Sequence, residues 1–229
     1  PSHSEWIHKY TDCYLVGSND IREKLAAKGV ERESICVTGI PVRCEFKRPV
    51  VRRPGRTRQL LIMGGGLGLL PRKDSFYEAL DALPGVHTTI ITGRNQKLYD
   101  RLAGRYPHIQ VLGFTDRVYD YMARADLVLT KPGGITLFET IFSELPILAW
   151  EPFLEQEKLN ARFLVKRGLG RVAAKEPEEC LEAIRALIYD DAALESMRAN
   201  MRHMKGQLES ESLARILAGL REEKGVGVA

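Results

Sequence analysis

Five short segments gather glycine, hydroxyl, amide and carboxylate groups in patterns that suit the binding of a phosphorylated ligand. The first is Gly64-Gly65-Gly66-Leu67-Gly68, after the apolar run 60–63. Glycines let a backbone approach a phosphate closely, and a helix that follows offers free N–H groups. No Gly-Lys-Ser/Thr follows, so the run is not a P-loop, and Leu69 stands where a G-x-G-x-x-G fingerprint needs glycine. The second is Lys131-Pro132-Gly133-Gly134-Ile135-Thr136, leading to Glu139. Gly133 and Gly134 opening a helix suit a diphosphate, and Thr136 adds a hydroxyl donor. Glu139 lies three residues beyond Thr136, on the same helix face. A carboxylate repels phosphate but accepts from two hydroxyls, which assigns Glu139 to a ribose diol.

The third segment, Gly113-Phe114-Thr115-Asp116, offers Phe114 as shelter for a flat base. The fourth, Thr92-Gly93-Arg94-Asn95, lacks the acid that an NAD site places after its second strand, although an arginine can meet a 2′-phosphate. The fifth runs from Glu151 through Gln156 and Glu157 to Asn160, and its amides and carboxylates suit sugar hydroxyls. Plain structural readings stand beside these: a tight turn at 64–68, helix caps at Asn95 and at Thr115 or Asp116, core packing for Phe114, an exposed helix acid at Glu139, and a solvated first turn at 155–160. His8, His87, His108 and His203 are isolated, His3 and His8 do not form H-E-x-x-H, and there is no G-x-S-x-G elbow.

These segments need a scaffold that brings them to one edge. From residue 59 onward the pattern is repeated βα. Strands are expected at 59–63, 86–92, 109–112, 126–130, 146–150 and 170–174, with helices near 72–83, 95–104, 116–123, 134–143, 156–167 and 177–188. Apolar runs such as 126–130 read as buried parallel strands. The fold class is therefore α/β, a Rossmann-like parallel sheet with helices on both faces. In such sheets ligands bind beyond the carboxyl ends of the strands, and all five segments fall there. Upstream, 12–17 and 35–38 read as strands around a helix at 19–28. Residues 43–58 hold seven basic residues, two prolines and one acid, and read as a basic linker. The expected division is 1–58 as a lead-in segment with that linker, 59–205 as the nucleotide-binding domain, and 206–229 as a C-terminal helix and tail.

Composition narrows the classes. In 229 residues, 34 basic side chains against 30 acidic ones give a net charge of +4, too little to argue for nucleic acid. Cys13, Cys36, Cys44 and Cys180 show no C-x-x-C spacing. They are expected to be reduced and strand-buried, with no zinc site, which suits a cytoplasmic setting. No apolar run reaches the length of a membrane span. The chain starts at Pro1, and the expectation is that it belongs to a longer protein.

With the segments in place, the chain resembles the C-terminal, donor-binding half of the GT-B glycolipid glycosyltransferases: processive diacylglycerol glucosyltransferases and monogalactosyldiacylglycerol synthases. The residues that carry the resemblance are His3 to Lys9, Gly39-Ile-Pro-Val42, Met63 to Gly66, Gly93-Arg-Asn95, Gly113-Phe114, Thr130 to Thr136 with Glu139, and Gln156-Glu157-Lys158 with Asn160. They cover nearly the whole chain. Glu155 departs from the glycine often found there in relatives.

The resemblance implies a UDP-sugar donor and no cofactor or metal. The turn at Gly64, Gly65 and Gly66 and the helix start at Gly133 and Gly134 would hold the diphosphate, and backbone near Phe114 would meet uracil. Glu139 would take the ribose, while Gln156 and Glu157 would face the hexose. The catalytic base would lie in the other half, with His3 the one candidate here. UDP-glucose or UDP-galactose, a diacylglycerol-type acceptor and an anionic membrane surface touched by the basic run are the implied partners. The implied location is cytoplasmic and peripheral to the inner face of the cell membrane. An NADP-dependent oxidoreductase and a non-transferase sugar-nucleotide-binding protein, such as an epimerase, are the alternatives.

Overall fold

A computed structural model describes residues 7–48, 50, 57–65, 70–71, 73–150, 152–210 and 216. They divide into two compact units, Pro1–Pro41 with His203–Ala229, and Val42–Arg202.

The first unit holds β1 (Tyr14–Val16), α1 (Asn19–Ala26) and β2 (Ile35–Val37). The strands pair in parallel, with Tyr14 opposite Ile35 and Leu15 opposite Cys36. Beyond them, Thr38 N and Gly39 N both donate to Val16 O, at 3.1 and 3.2 Å.

The second unit alternates strand and helix: β3 (Arg58–Met63), α2 (Asp74–Asp81), β4 (Val86–Ile91), α3 (Gln96–Leu102), β5 (Ile109–Leu112), α4 (Val118–Arg124), β6 (Leu127–Thr130), α5 (Gly134–Phe142), β7 (Ile147–Trp150), α6 (Glu155–Lys166), β8 (Gly170–Ala173) and α7 (Pro177–Ile188). Helix α8 (Asp191–Ser210) follows and runs on into the first unit. The strands form one parallel sheet in the order β5-β4-β3-β6-β7-β8. The chain lays strands outward from β3 in one direction, then returns to add β6 on its other side. That reversal is the topological switch point of a doubly wound sheet.

Burial explains why these residues form strands. Leu60 to Met63, Leu127 to Thr130 and Ile147 to Trp150 are buried without interruption, as strands covered on both faces must be. Leu60, Ile62, Leu127, Leu129, Leu148 and Trp150 pack with residues of α2, α3, α7 and α8 in one core. The alternate residues Leu61, Met63, Val128, Ile147 and Ala149 are buried as well. Gly170 lets β8 approach β7: a Cβ there would stand 1.9 Å from Ile147 O, and backbone cannot yield to it.

The seam between β3 and β6 is closed at its start by Asp126. Its Oδ2 accepts from Gln59 N at 2.8 Å, and its own N–H donates to Gln59 O at 2.8 Å. Arg198 of α8 reaches the same residue, with Nη2 3.7 Å from Oδ1 and 3.3 Å from the main-chain oxygen. Both side chains are about nine-tenths buried.

Three expectations change. The helix expected to start at 206 is part of α8, which begins at Asp191 and passes through Gly206; a glycine weakens a helix without ending it. Asp190 Oδ1 accepts from Ala193 N at 2.9 Å, which sets the helix start far earlier. Of the four cysteines, only Cys36 lies in a strand: Cys13 precedes β1, Cys44 is exposed on a 3-10 turn, and Cys180 is buried in α7. The basic residues read as a linker are in part tied down. Arg43 and Arg48 lie over the Tyr119 ring, Lys47 lies over Phe142, and Arg58 pairs with Asp191. Arg52, Arg53 and Arg56 lie outside the described residues.

Removing Arg198 takes the adjoining cation from the buried Asp126 carboxylate, which destabilises strongly. Arg198→Ala is expected to cost about 3 kcal/mol, near the lower end of that range because the ionic contact is long. Urea unfolding measures it, and a loss well below 1 kcal/mol would contradict the role given to this pair.

Candidate functional site

Parallel pairing puts every strand's carboxyl end at one edge. Met63 is opposite Thr130, so the turn after β3 and the turn after β6 leave the sheet side by side at the switch point. Gly64 and Gly65 lie in the first turn, and Gly65 takes φ +69°, a conformation that favours glycine. Gly66 lies outside the described residues, as does His3.

The second turn leads straight into α5. Gly133 is its N-cap and Gly134 its first residue. Gly133 has no side chain to cap the helix, so the first-turn N–H groups remain available to an anion. Nothing lies within 4 Å of where a Gly133 Cβ would stand, so this turn is open to an approaching group. Thr136 and Glu139 are both half-buried on α5. Burial raises the Glu139 carboxyl above the ordinary 4.5, and the Arg43 guanidinium pulls it partly back.

Arg43 was missed in the sequence reading, which placed it in the linker. Its Nη2 donates to Asp116 O at 2.7 Å, and its guanidinium lies 5.3 Å from the Tyr119 ring centre and 5.5 Å from that of Phe46. The 3-10 turn at Cys44–Lys47 packs on α4 and α5 and holds it there. The signal was an arginine directly after Gly39-Ile-Pro-Val42, three residues before an aromatic; basic neighbours at 47 and 48 concealed it.

Phe114 follows β5 and is 72% exposed, an uncommon position for a large apolar ring. Core packing is thereby excluded for it. Ile135, at the start of α5, is 63% exposed, and Phe153, after β7, is 73% exposed. The edge thus offers free apolar faces beside its polar groups. Asn95 Oδ1 accepts from Leu98 N at 3.0 Å and caps α3, whereas Thr115 Oγ1 accepts from Arg117 N at 3.1 Å in the turn before α4, whose N-cap is Arg117 and carries no side-chain cap bond.

The fifth segment divides into different tasks. Gln156 is exposed on the first turn of α6. Glu157 Oε2 accepts from Phe153 N at 2.9 Å and Leu154 N at 3.2 Å, so the carboxylate holds the turn that starts α6. Asn160 Nδ2 donates to Pro132 O at 2.9 Å. That bond ties α6 to the turn ahead of Gly133. Glu157 and Asn160 therefore each have a structural task, one holding the turn that starts α6 and one tying α6 to the turn after β6. Glu151 lies outside the described residues, among which no three His, Cys, Asp or Glu side chains cluster as a metal site would need.

Residues 1–42 match the family model for monogalactosyldiacylglycerol (MGDG) synthase, and residues 60–215 match the glycosyltransferase family 28 C-terminal domain. A processive diacylglycerol beta-glucosyltransferase of Bacillus licheniformis is 31% identical over 222 residues, 91% of this chain and 57% of that protein. The chain thus spans little more than half the length of that relative. In fold it is similar to a calicheamicin glycosyltransferase, with a TM-score of 0.65, 19% identity and coverage of 95% of this chain and 53% of the other. It is also similar to a putative UDP-N-acetylglucosamine 2-epimerase from Listeria monocytogenes, with a TM-score of 0.67, 15% identity and coverage of 95% and 61%. By the match over 60–215, this chain belongs to glycosyltransferase family 28, whose C-terminal domain it carries.

Proposed function

We propose that the chain is the donor-binding half of a UDP-sugar-dependent transferase that moves a hexose, glucose or galactose, to a diacylglycerol-type lipid hydroxyl. The observation that carries the reading is the seam at Met63 and Thr130, where a glycine turn and an uncapped helix start lie together with Glu139 one turn inward. The printed name of the Bacillus relative supports the acceptor class. An anionic lipid surface is the setting in which such an acceptor is met. Among the described residues no helix is long and apolar enough to cross a membrane.

In this scheme the N–H groups at the start of α5 and the turn at Gly64 and Gly65 hold the diphosphate. They gain strength as the sugar departs and negative charge grows on UDP. Thr136 adds a hydroxyl donor. Arg43 supplies a fixed positive charge near Glu139 and eases the placing of a carboxylate beside an anionic ligand. Glu139 accepts from both ribose hydroxyls, and Phe114 covers the base. Gln156 is the fifth segment's free hexose ligand; Glu157 and Asn160 shape the pocket by fixing the turns at Phe153 and Pro132. The base that deprotonates the lipid hydroxyl comes from the other half of the enzyme.

Binding measurements test this site on three points. Titration calorimetry is expected to rank UDP above ADP and NADP; a preference for either competitor would overturn the donor assignment. Glu139→Ala removes charge-assisted bonds each worth about 1.5–3 kcal/mol, so UDP affinity should fall at least about tenfold, while inorganic phosphate binding holds. Because Glu139 binds in its ionised form, affinity is present above its pKa and lost as pH falls through it. Burial raises that pKa, so the loss should begin above the ordinary glutamate range and be absent from Glu139→Gln.

Asn160→Ala distinguishes positioning from sugar contact. If the amide sets the turn ahead of Gly133, the variant loses affinity for UDP itself, by roughly five- to tenfold for one hydrogen bond. A variant that binds UDP normally and is defective only toward UDP-sugar would assign Asn160 to the hexose instead.

A further inference from the structure

In the first unit, the two-stranded sheet brings two thiols together. Cys13 directly precedes β1, and Cys36 is the middle residue of β2, opposite Leu15. Residues two apart on a strand share a face, so position 13 lies on the side of Leu15 and Cys36. The sulfurs meet at 3.6 Å, with the Cys13 thiol donating to Cys36 Sγ. Both cysteines are free and half-buried, so solvent reaches them in part. Burial, and then the adjoining Cys36, push the Cys13 thiol up to about 11.

A thiol held protonated in this way is a poor nucleophile by itself. A thiophilic centre that displaces both protons and bonds both sulfurs meets a different situation. Two sulfurs each about 2.3 Å from one pyramidal centre, with about 100° between the two bonds, stand about 3.5 Å apart, close to the 3.6 Å already present. Little rearrangement is then required, and the second bond forms within one molecule. Among the described residues no third His, Cys, Asp or Glu completes a metal cluster. The donor set among the described residues is two thiols, which suits a centre that brings its remaining bonds with it.

We propose that Cys13 and Cys36 form a dithiol site that binds a trivalent arsenical. With a monosubstituted arsenoxide, both S–H bonds and the As=O bond break and two As–S bonds form. Oxygen leaves with both protons as one water, and no oxidation state changes. The other cysteines lack this arrangement: Cys44 is exposed and its thiol donates to Glu45 at 3.4 Å, while Cys180 is buried in α7 with its thiol pushed up to about 12.

Phenylarsine oxide is the probe. The chain is reduced with a phosphine, freed of reductant, mixed with one equivalent and read by intact mass. One adduct is expected, formed with loss of one water. It should survive excess monothiol and be stripped by a dithiol, because two-point capture is tighter than single-thiol capture by about 10²–10⁴-fold. Cys13→Ser and Cys36→Ser should each lose the resistant adduct. The Cys44→Ser/Cys180→Ala double variant, which keeps only the proposed pair, should retain it, and this arm decides the matter if a single variant fails to fold. A resistant adduct that persists in folded Cys13→Ser, or is missing from the unsubstituted chain or a folded double variant, would overturn the proposal.

Discussion

The parallel pairing of β3 with β6 is the constraint on which the rest depends. It makes two turns far apart in sequence, at 64–65 and 131–134, into neighbours. Either turn alone is an ordinary strand-to-helix connection. Side by side, one brings backbone that can approach closely and the other brings the free N–H groups of α5. The seam is held at its far end by Asp126, Gln59 and Arg198, which fix the register before the chain reaches the turns. A one-residue slip would turn every side chain to the opposite face and dissolve the core on both sides.

Around that seam, polar groups divide between holding the frame and meeting a ligand. Glu157 and Asn160 spend hydrogen bonds on the turns at Phe153 and Pro132, so the fifth segment is less a row of sugar ligands than a pair of braces with Gln156 left free. Glu139 is the reverse: its carboxyl is partly desolvated, and among the described residues the Arg43 charge acts to keep it ionised. A partly desolvated acid costs stability, and such a cost is commonly borne where a ligand later completes the bonds.

The sheet was legible because both-face burial writes uninterrupted apolar runs, as at 60–63, 127–130 and 147–150. Alternation with helices then gave the edge at which the special residues gather. Local capping at Asn95 was legible as an alternative, since an asparagine side chain favours helix starts. Three things were not. Arg43 acts through contacts more than seventy positions away, with Asp116 and Tyr119, which no local pattern carries. The bracing roles of Glu157 and Asn160 depend on which way each side chain turns, and residue type suits both tasks. The continuity of α8 through Gly206 reflects tertiary packing overriding a weak local breaker.

The central claim is a place, and the structure of the chain with UDP tests it most directly. The account predicts the diphosphate against the turn after β3 and the first N–H groups of α5, with both ribose hydroxyls within hydrogen-bond reach of the Glu139 carboxylate. A nucleotide seated elsewhere on the molecule, or a Glu139 carboxylate turned away from the bound pentose, would contradict it.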